Sequence, residues 1–176
     1  SAISNNDKIG VIFFSDKVEK FIPPKKGRKH ILRIIRELLD FKTESRKPNL
    51  DEPLRFLTNA IKKRCTAFIL SDFFAPGFEE ALRIAGNKHD IAAIKVYDTF
   101  EQTMPDIGLV KISDSESGAE KWVDTSSRSS RIAYQKWWEE HMDEIRNIFK
   151  RCGVDSAYIS TGEDYVKPLI KLFESR

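Results

Sequence analysis

The sequence predicts an α/β fold of three layers: a mostly parallel sheet with helices on both faces, an antiparallel edge strand and an extra β-hairpin. Three observations carry this expectation. Apolar runs at residues 8–16, 67–72 and 90–98 are too short for helices and lack the alternation of a half-solvated strand, so they suit strands covered on both faces. Each run closes on an aspartate: Asp16, Asp72 and Asp98. Amphipathic stretches at helical spacing stand between them, and strand-helix alternation implies parallel strands joined by right-handed crossovers.

The 176 residues suit a single domain, 1–176, with one core. Hydrophobic content of 40% and charged content of 32% are those of a globular protein, and no apolar run approaches the roughly 20 residues of a membrane span. Ser1 to Asp7 has neither a basic start nor an apolar signal core, so the expected location is cytoplasmic. Cys65 and Cys152 stand far apart, and His30, His89 and His141 lack metal-ligand spacing, which argues against a zinc site or a disulfide framework. The net charge of +3 comes mostly from residues 17–36. There the basic patch Lys25, Lys26, Arg28 and Lys29 either faces phosphates or lies on a solvated loop.

In chain order, the first strand turns at Ser15-Asp16-Lys17 into Val18-Glu19-Lys20-Phe21-Ile22, whose period of two marks an antiparallel partner ended by Pro23-Pro24. Ile31, Ile34, Ile35, Leu38 and Leu39 form the stripe of an amphipathic helix over 28–41. A polar loop at 43–49 leads to a helix over 51–63 and then to the strand at 67–72. A helix over 78–87 follows, with Gly86-Asn87 as its stop. After the strand at 90–98, residues 109–112 and 121–124 flank the turn-forming Ser113 to Gly118 as a hairpin. The hydroxyl cluster at 126–130 caps the longest helix, which runs to about residue 151 with Tyr134, Trp138, Met142, Ile145 and Phe149 as a core stripe. A short strand at 157–160 and a helix over 164–174 close the chain.

Parallel strands that end on Asp16, Asp72 and Asp98 bring carboxylates to one rim of the sheet, where α/β folds place ligands. Grouped oxygens there suit magnesium, with serine hydroxyls completing the shell, although aspartate also favours the turns that follow strands. His89-Asp90 alone does not make a metal site. No G-x-S-x-G elbow, P-loop or G-x-G-x-x-G occurs, which disfavours the serine hydrolases and nucleotide enzymes that use them.

A set of short motifs narrows the class. Asn5-Asn6-Asp7-Lys8-Ile9-Gly10, Phe14-Ser15-Asp16, Ile22-Pro23-Pro24-Lys25-Lys26-Gly27-Arg28, Leu70-Ser71-Asp72-Phe73, His89-Asp90, Glu101 with Pro105 and Gly108, Asp114-Ser115-Glu116-Ser117-Gly118 and Thr161-Gly162-Glu163-Asp164-Tyr165 follow one another in this order. The ordered set resembles the bacterial family called domain of unknown function 58, over nearly the whole chain. That resemblance implies a von Willebrand factor type A-like, Rossmann-like fold with a metal-ion-dependent adhesion site on its rim. It also implies a protein-binding role, possible Mg2+ in the full-length protein, and a MoxR-type AAA+ ATPase as partner.

Of the ligands the resemblance implies, Asp72 matches the aspartate that ends the fourth strand, Pro48 falls where a threonine belongs, and the Asp-x-Ser-x-Ser motif is absent. The chain therefore reads as an N-terminally truncated domain lacking its first, central strand, and no bound cofactor is expected in it. In such a sheet the strands at 9–15 and 68–72 would face a gap or pair directly, and open edges invite self-association. The leading expectation is a non-enzymatic protein-interaction module whose partner-binding rim comprises Ser15, Asp16, Ser71, Asp72, Phe73, Phe74 and Asp98; if instead Phe73 and Phe74 are both buried under the following helix, that loop is structural. The alternatives are nucleic-acid binding through the basic patch and a metal-dependent hydrolase built on the rim aspartates.

Overall fold

The computed structural model describes residues 5–43, 49–113 and 120–174. An antiparallel hairpin, β1 (Ile9–Phe14) and β2 (Val18–Lys25), leads into α1 (Arg28–Asp40) and α2 (Asp51–Ala60). A β-α-β unit of β3 (Thr66–Ser71), α3 (Glu79–Lys88) and β4 (Asp90–Tyr97) comes next, then the single turn α4 (Thr99–Gln102). A second hairpin, β5 (Leu109–Ser113) and β6 (Glu120–Asp124), precedes α5 (Arg128–Cys152), β7 (Asp155–Ser160) and α6 (Val166–Glu174). Pro48 and the hairpin tip at 114–118 lie outside the described residues.

The centre is a parallel sheet in the order β3-β4-β7, in register from Thr66↔Asp90 to Ser71↔Lys95 and from Ala92↔Asp155 to Tyr97↔Ser160. β4 is buried along Ile91 to Lys95 because helices cover both of its faces. Ile91 and Ala93 join Leu82 and Ala85 of α3 and Ile145 and Phe149 of α5 in the main core. Ala92 points the other way and packs with Ala157 and Leu172 of α6. The alanines let helices approach closely where a larger side chain would hold them off. The stripe of α5 is buried at Trp138, Met142, Ile145 and Phe149. Ser127 caps the start of this helix, and Gly153, at φ 63°, ends it in the left-handed conformation that favours glycine.

The expectation that the first strand joins the parallel sheet is corrected. β1 pairs only with β2, and the two form a separate two-stranded sheet. Phe14 reaches the main core, whereas Phe13, Ile22 and Ile34 build a small core of their own. Among the described residues no backbone pairing joins β1 to β3, so β3 ends the larger sheet as an open edge.

The chain departs from expectation at three further places. Pro23-Pro24 does not end β2, which runs on to Lys25, since a proline without an amide donor is tolerated on an edge strand. The ladder accommodates it by a register shift between Ile9 and Val11. Gly86 and Asn87 do not stop α3, which continues to Lys88 because His89 N–H still bonds back to Ala85 O. The stripe of α1 is buried only at Ile34, with Leu32, Ile35, Leu38 and Leu39 exposed, because the small core beneath it occupies one narrow strip of the helix.

Gly10 marks the tightest point of the hairpin. A Cβ there would stand 2.9 Å from Ile22 O, from Pro24 N and from Pro24 Cδ, so the strands meet only because a hydrogen takes its place. Gly10→Ala is expected to cost about 1–3 kcal/mol through the backbone shift it forces. Urea unfolding checks this, and an unchanged midpoint would show that β1 and β2 are not so closely pressed.

Candidate functional site

The loop after β3 is built by its own side chains. Ser71 Oγ accepts the Phe73 amide at 3.1 Å, and Asp72 Oδ1 accepts both the Phe74 amide and the Ser71 hydroxyl at 3.3 Å. These bonds hold a sharp turn in which Phe73 takes φ 54°, a left-handed conformation that costs a bulky residue about 1–3 kcal/mol. Burial of its ring offsets the cost. Phe73 is 1% exposed and packs on Phe149 at 4.9 Å and Phe78 at 5.8 Å between ring centroids. As a core residue it offers no surface to a partner, which corrects its place among the rim contacts.

Other rim residues are placed as follows. Asp72 is exposed and Asp98 half-buried, and the Phe100 amide, followed by the Thr161 hydroxyl, holds the Asp98 carboxyl below its usual range. Ser15 is buried and its hydroxyl donates to Asp16 Oδ1 at 3.1 Å, while its carbonyl accepts the Asn49 amide at the entry to α2. Lys25, Lys26, Arg28 and Lys29 are all exposed. Lys25 pairs with Ile9 in the β1-β2 ladder, so the basic stretch lies at the opposite end of the hairpin from Ser15 and Asp16.

Sequence reasoning missed the group that organises this rim. Lys95 sits near the end of β4 with no exposed surface, and its ammonium donates to the main-chain carbonyl of Asp72. The same ammonium lies 4.5 Å from the centre of the Phe74 ring and 5.7 Å from that of Trp138. Phe74 is half-buried, and its ring, the His141 imidazole and the Trp137 ring lie nearly parallel, with centroids 4.6 Å (Phe74 to His141), 5.8 Å (Trp137 to His141) and 6.2 Å (Phe74 to Trp137) apart. Trp137 is the most solvent-facing of the three, 47% exposed. Burial lowers the pKa of Lys95, opposed by the charges of Asp72 and Glu101. The signal in the sequence was a lone lysine inside an otherwise apolar strand pattern.

At the other end of the sheet, Cys65 Sγ and His89 Nδ1 lie 3.5 Å apart. Burial pushes the thiol up and the imidazole down, both toward their neutral forms and against the thiolate that nucleophilic chemistry uses. Among the described residues no group of three or more His, Cys, Asp or Glu converges as a metal set, and no helix is long and apolar enough to cross a membrane.

Burial lowers the pKa of His141 as well as that of His89, and at His141 Lys95 adds to the effect while Glu144 and Asp72 oppose it. As pH falls, the unfolded chain therefore takes up these protons before the folded one. The contribution of these two histidines to stability is full above about pH 6.5 and is lost progressively below it. His141→Phe keeps a flat ring against Phe74 and Trp137 and removes one titrating group. Urea titrations from about pH 7 to pH 5 should show a smaller loss of stability in the variant than in the parent, and equal losses would contradict the assignment.

The rim can be set against known proteins. The chain is 23% identical over 175 residues to "Uncharacterized protein Rv1480" of Mycobacterium tuberculosis, an alignment covering 97% of this chain and 54% of that protein. It is 27% identical over 116 residues to "Uncharacterized protein MAV169" of Mycobacterium avium, covering 65% of this chain and 68% of the relative. It thus spans about half the length of the first of these relatives. Among solved structures, that of the conserved hypothetical protein BatB from Bacteroides thetaiotaomicron superposes with a TM-score of 0.50 at 12% identity, covering 97% of this chain and 78% of that one, a likeness of fold. The family described as protein of unknown function DUF58 matches residues 1–144, and the chain belongs to it.

Proposed function

We propose that this chain is a non-enzymatic, cytoplasmic protein-interaction module with a von Willebrand factor type A-like arrangement. The observation that carries the reading is the outer face of β3. Ile69 is buried in the main core, so Phe68 and Leu70 point to the opposite face, as alternate residues of a strand do. There they are 43% and 60% exposed. Phe68 meets Phe173 of α6 at 5.8 Å, and Ile170 and Phe173 are themselves exposed. An apolar face beside an open sheet edge is a surface for association.

Within this reading the β3 edge takes a second copy of the chain. The loops at Ser71, Asp72, Phe74 and Asp98 meet a heterologous partner, for which the family resemblance points to a MoxR-type AAA+ ATPase. The exposed Lys25, Lys26, Arg28 and Lys29 support a second reading, a nucleic-acid surface, whose mark would be steep salt dependence.

Light scattering is expected to show a mass that rises with concentration, and Phe68→Asp with Leu70→Asp should return it to that of a monomer without loss of helical circular dichroism. A strict monomer in the parent chain would remove the self-association. Failure to retain a MoxR-type ATPase, in this chain and in a longer form carrying the remaining length of its relatives, would remove the proposed partner.

A further inference from the structure

The family resemblance implies a divalent metal at the rim, and the residues present do not fit one. Asp72 is the one carboxylate that matches a ligand, and its Oδ1 is already engaged by the Phe74 amide and the Ser71 hydroxyl. No convergent set of His, Cys, Asp or Glu completes a shell around it among the described residues. A positive charge is already in place: the Lys95 ammonium, without exposed surface, is bonded to the carbonyl of Asp72 itself. A metal ion held by Asp72 would stand close to a fixed like charge, which opposes its binding.

The surroundings of that ammonium are built for a cation. It faces the rings of Phe74 and Trp138, whose electron-rich faces attract positive charge most strongly when water is excluded. The peptide whose carbonyl it holds immediately precedes Phe73, at φ 54°, so the bond is made at the strained point of the loop. Asp72 and Glu101 act together to keep the group charged against the effect of burial.

We propose that the Lys95 ammonium is the resident cation of this rim, fixing the loop at residues 71–75 through the Asp72 carbonyl and the Phe74 ring in place of a divalent metal. Lys95 is then a positioning residue. The exposed Asp72 carboxylate is presented to solvent without a bridging ion. This assignment does not depend on any partner binding the rim, and neither arm of its test involves one.

The test uses the 176-residue chain. Thermal unfolding with Mg2+ or Mn2+ and with EDTA should agree within about 1 °C, whereas a site filled at about 100 times its Kd would raise the midpoint by several degrees. Lys95→Met keeps the length and apolar stem of the side chain but removes the charge. Hydrogen exchange at the Phe73 and Phe74 amides should then accelerate about tenfold or more, with Leu82 and Ile145 unchanged. The proposal is overturned by saturable metal stabilisation of the parent chain that Asp72→Asn abolishes, or by unaltered exchange at Phe73 and Phe74 in Lys95→Met. If Lys95→Met does not fold, the metal titration of the parent chain decides alone.

Discussion

An ammonium removed from water must recover elsewhere the hydration it has lost, and at Lys95 three groups supply the replacement. The Asp72 carbonyl accepts its hydrogen bond, and Phe74 and Trp138 turn ring faces toward it. A single buried charge thereby ties β4, the loop after β3 and the first half of α5 to one point. Left unpaired it would cost several kcal/mol or give up its proton. Each neighbour is accordingly constrained. The turn at residues 71–74 must be tight enough to aim the Asp72 carbonyl inward, α5 must seat Trp138 on the end of β4, and Phe73 must accept a left-handed backbone that its burial against Phe149 offsets.

A second constraint is geometric. β4 is the middle strand, and its Ala92 and Ala93 let α6 approach from one side and α3 and α5 from the other. Among the described residues nothing comparable covers the outer face of β3 or the outer stripe of α1. Phe68 and Leu70 on β3, and Leu32, Ile35, Leu38 and Leu39 on α1, remain exposed. The chain is thus closely packed at the Lys95 rim and, among the described residues, open along the β3 edge.

Much of this was legible in the sequence. The apolar run ending at Asp72, the run of β4, the core stripe of α5 and its capping hydroxyls appear where periodicity and turn chemistry put them, because those signals are local. The misses have physical causes. Membership of β1 in the sheet depends on which neighbours the strand finds, and its own residues cannot report that. Likewise, the spacing of α1 marks an apolar stripe but not whether anything packs on it. Phe73 in a left-handed turn is set by the tertiary packing of its ring, which overrides local preference. Lys95 was visible as a lysine within a buried run. What the sequence could not show was that Asp72, Phe74 and Trp138 would converge on it.

The central claim, that one buried ammonium organises the rim, is tested most directly by nitrogen-resolved NMR of the lysine side chains. An exposed amino group exchanges its protons with water too fast to be followed, while a buried, hydrogen-bonded one is protected. The account predicts a protected ammonium signal for Lys95, with its Cε protons shifted upfield by the Phe74 and Trp138 rings, that disappears in Lys95→Met. A spectrum in which the Lys95 amino group exchanges as freely as those of Lys25 and Lys26 would contradict it.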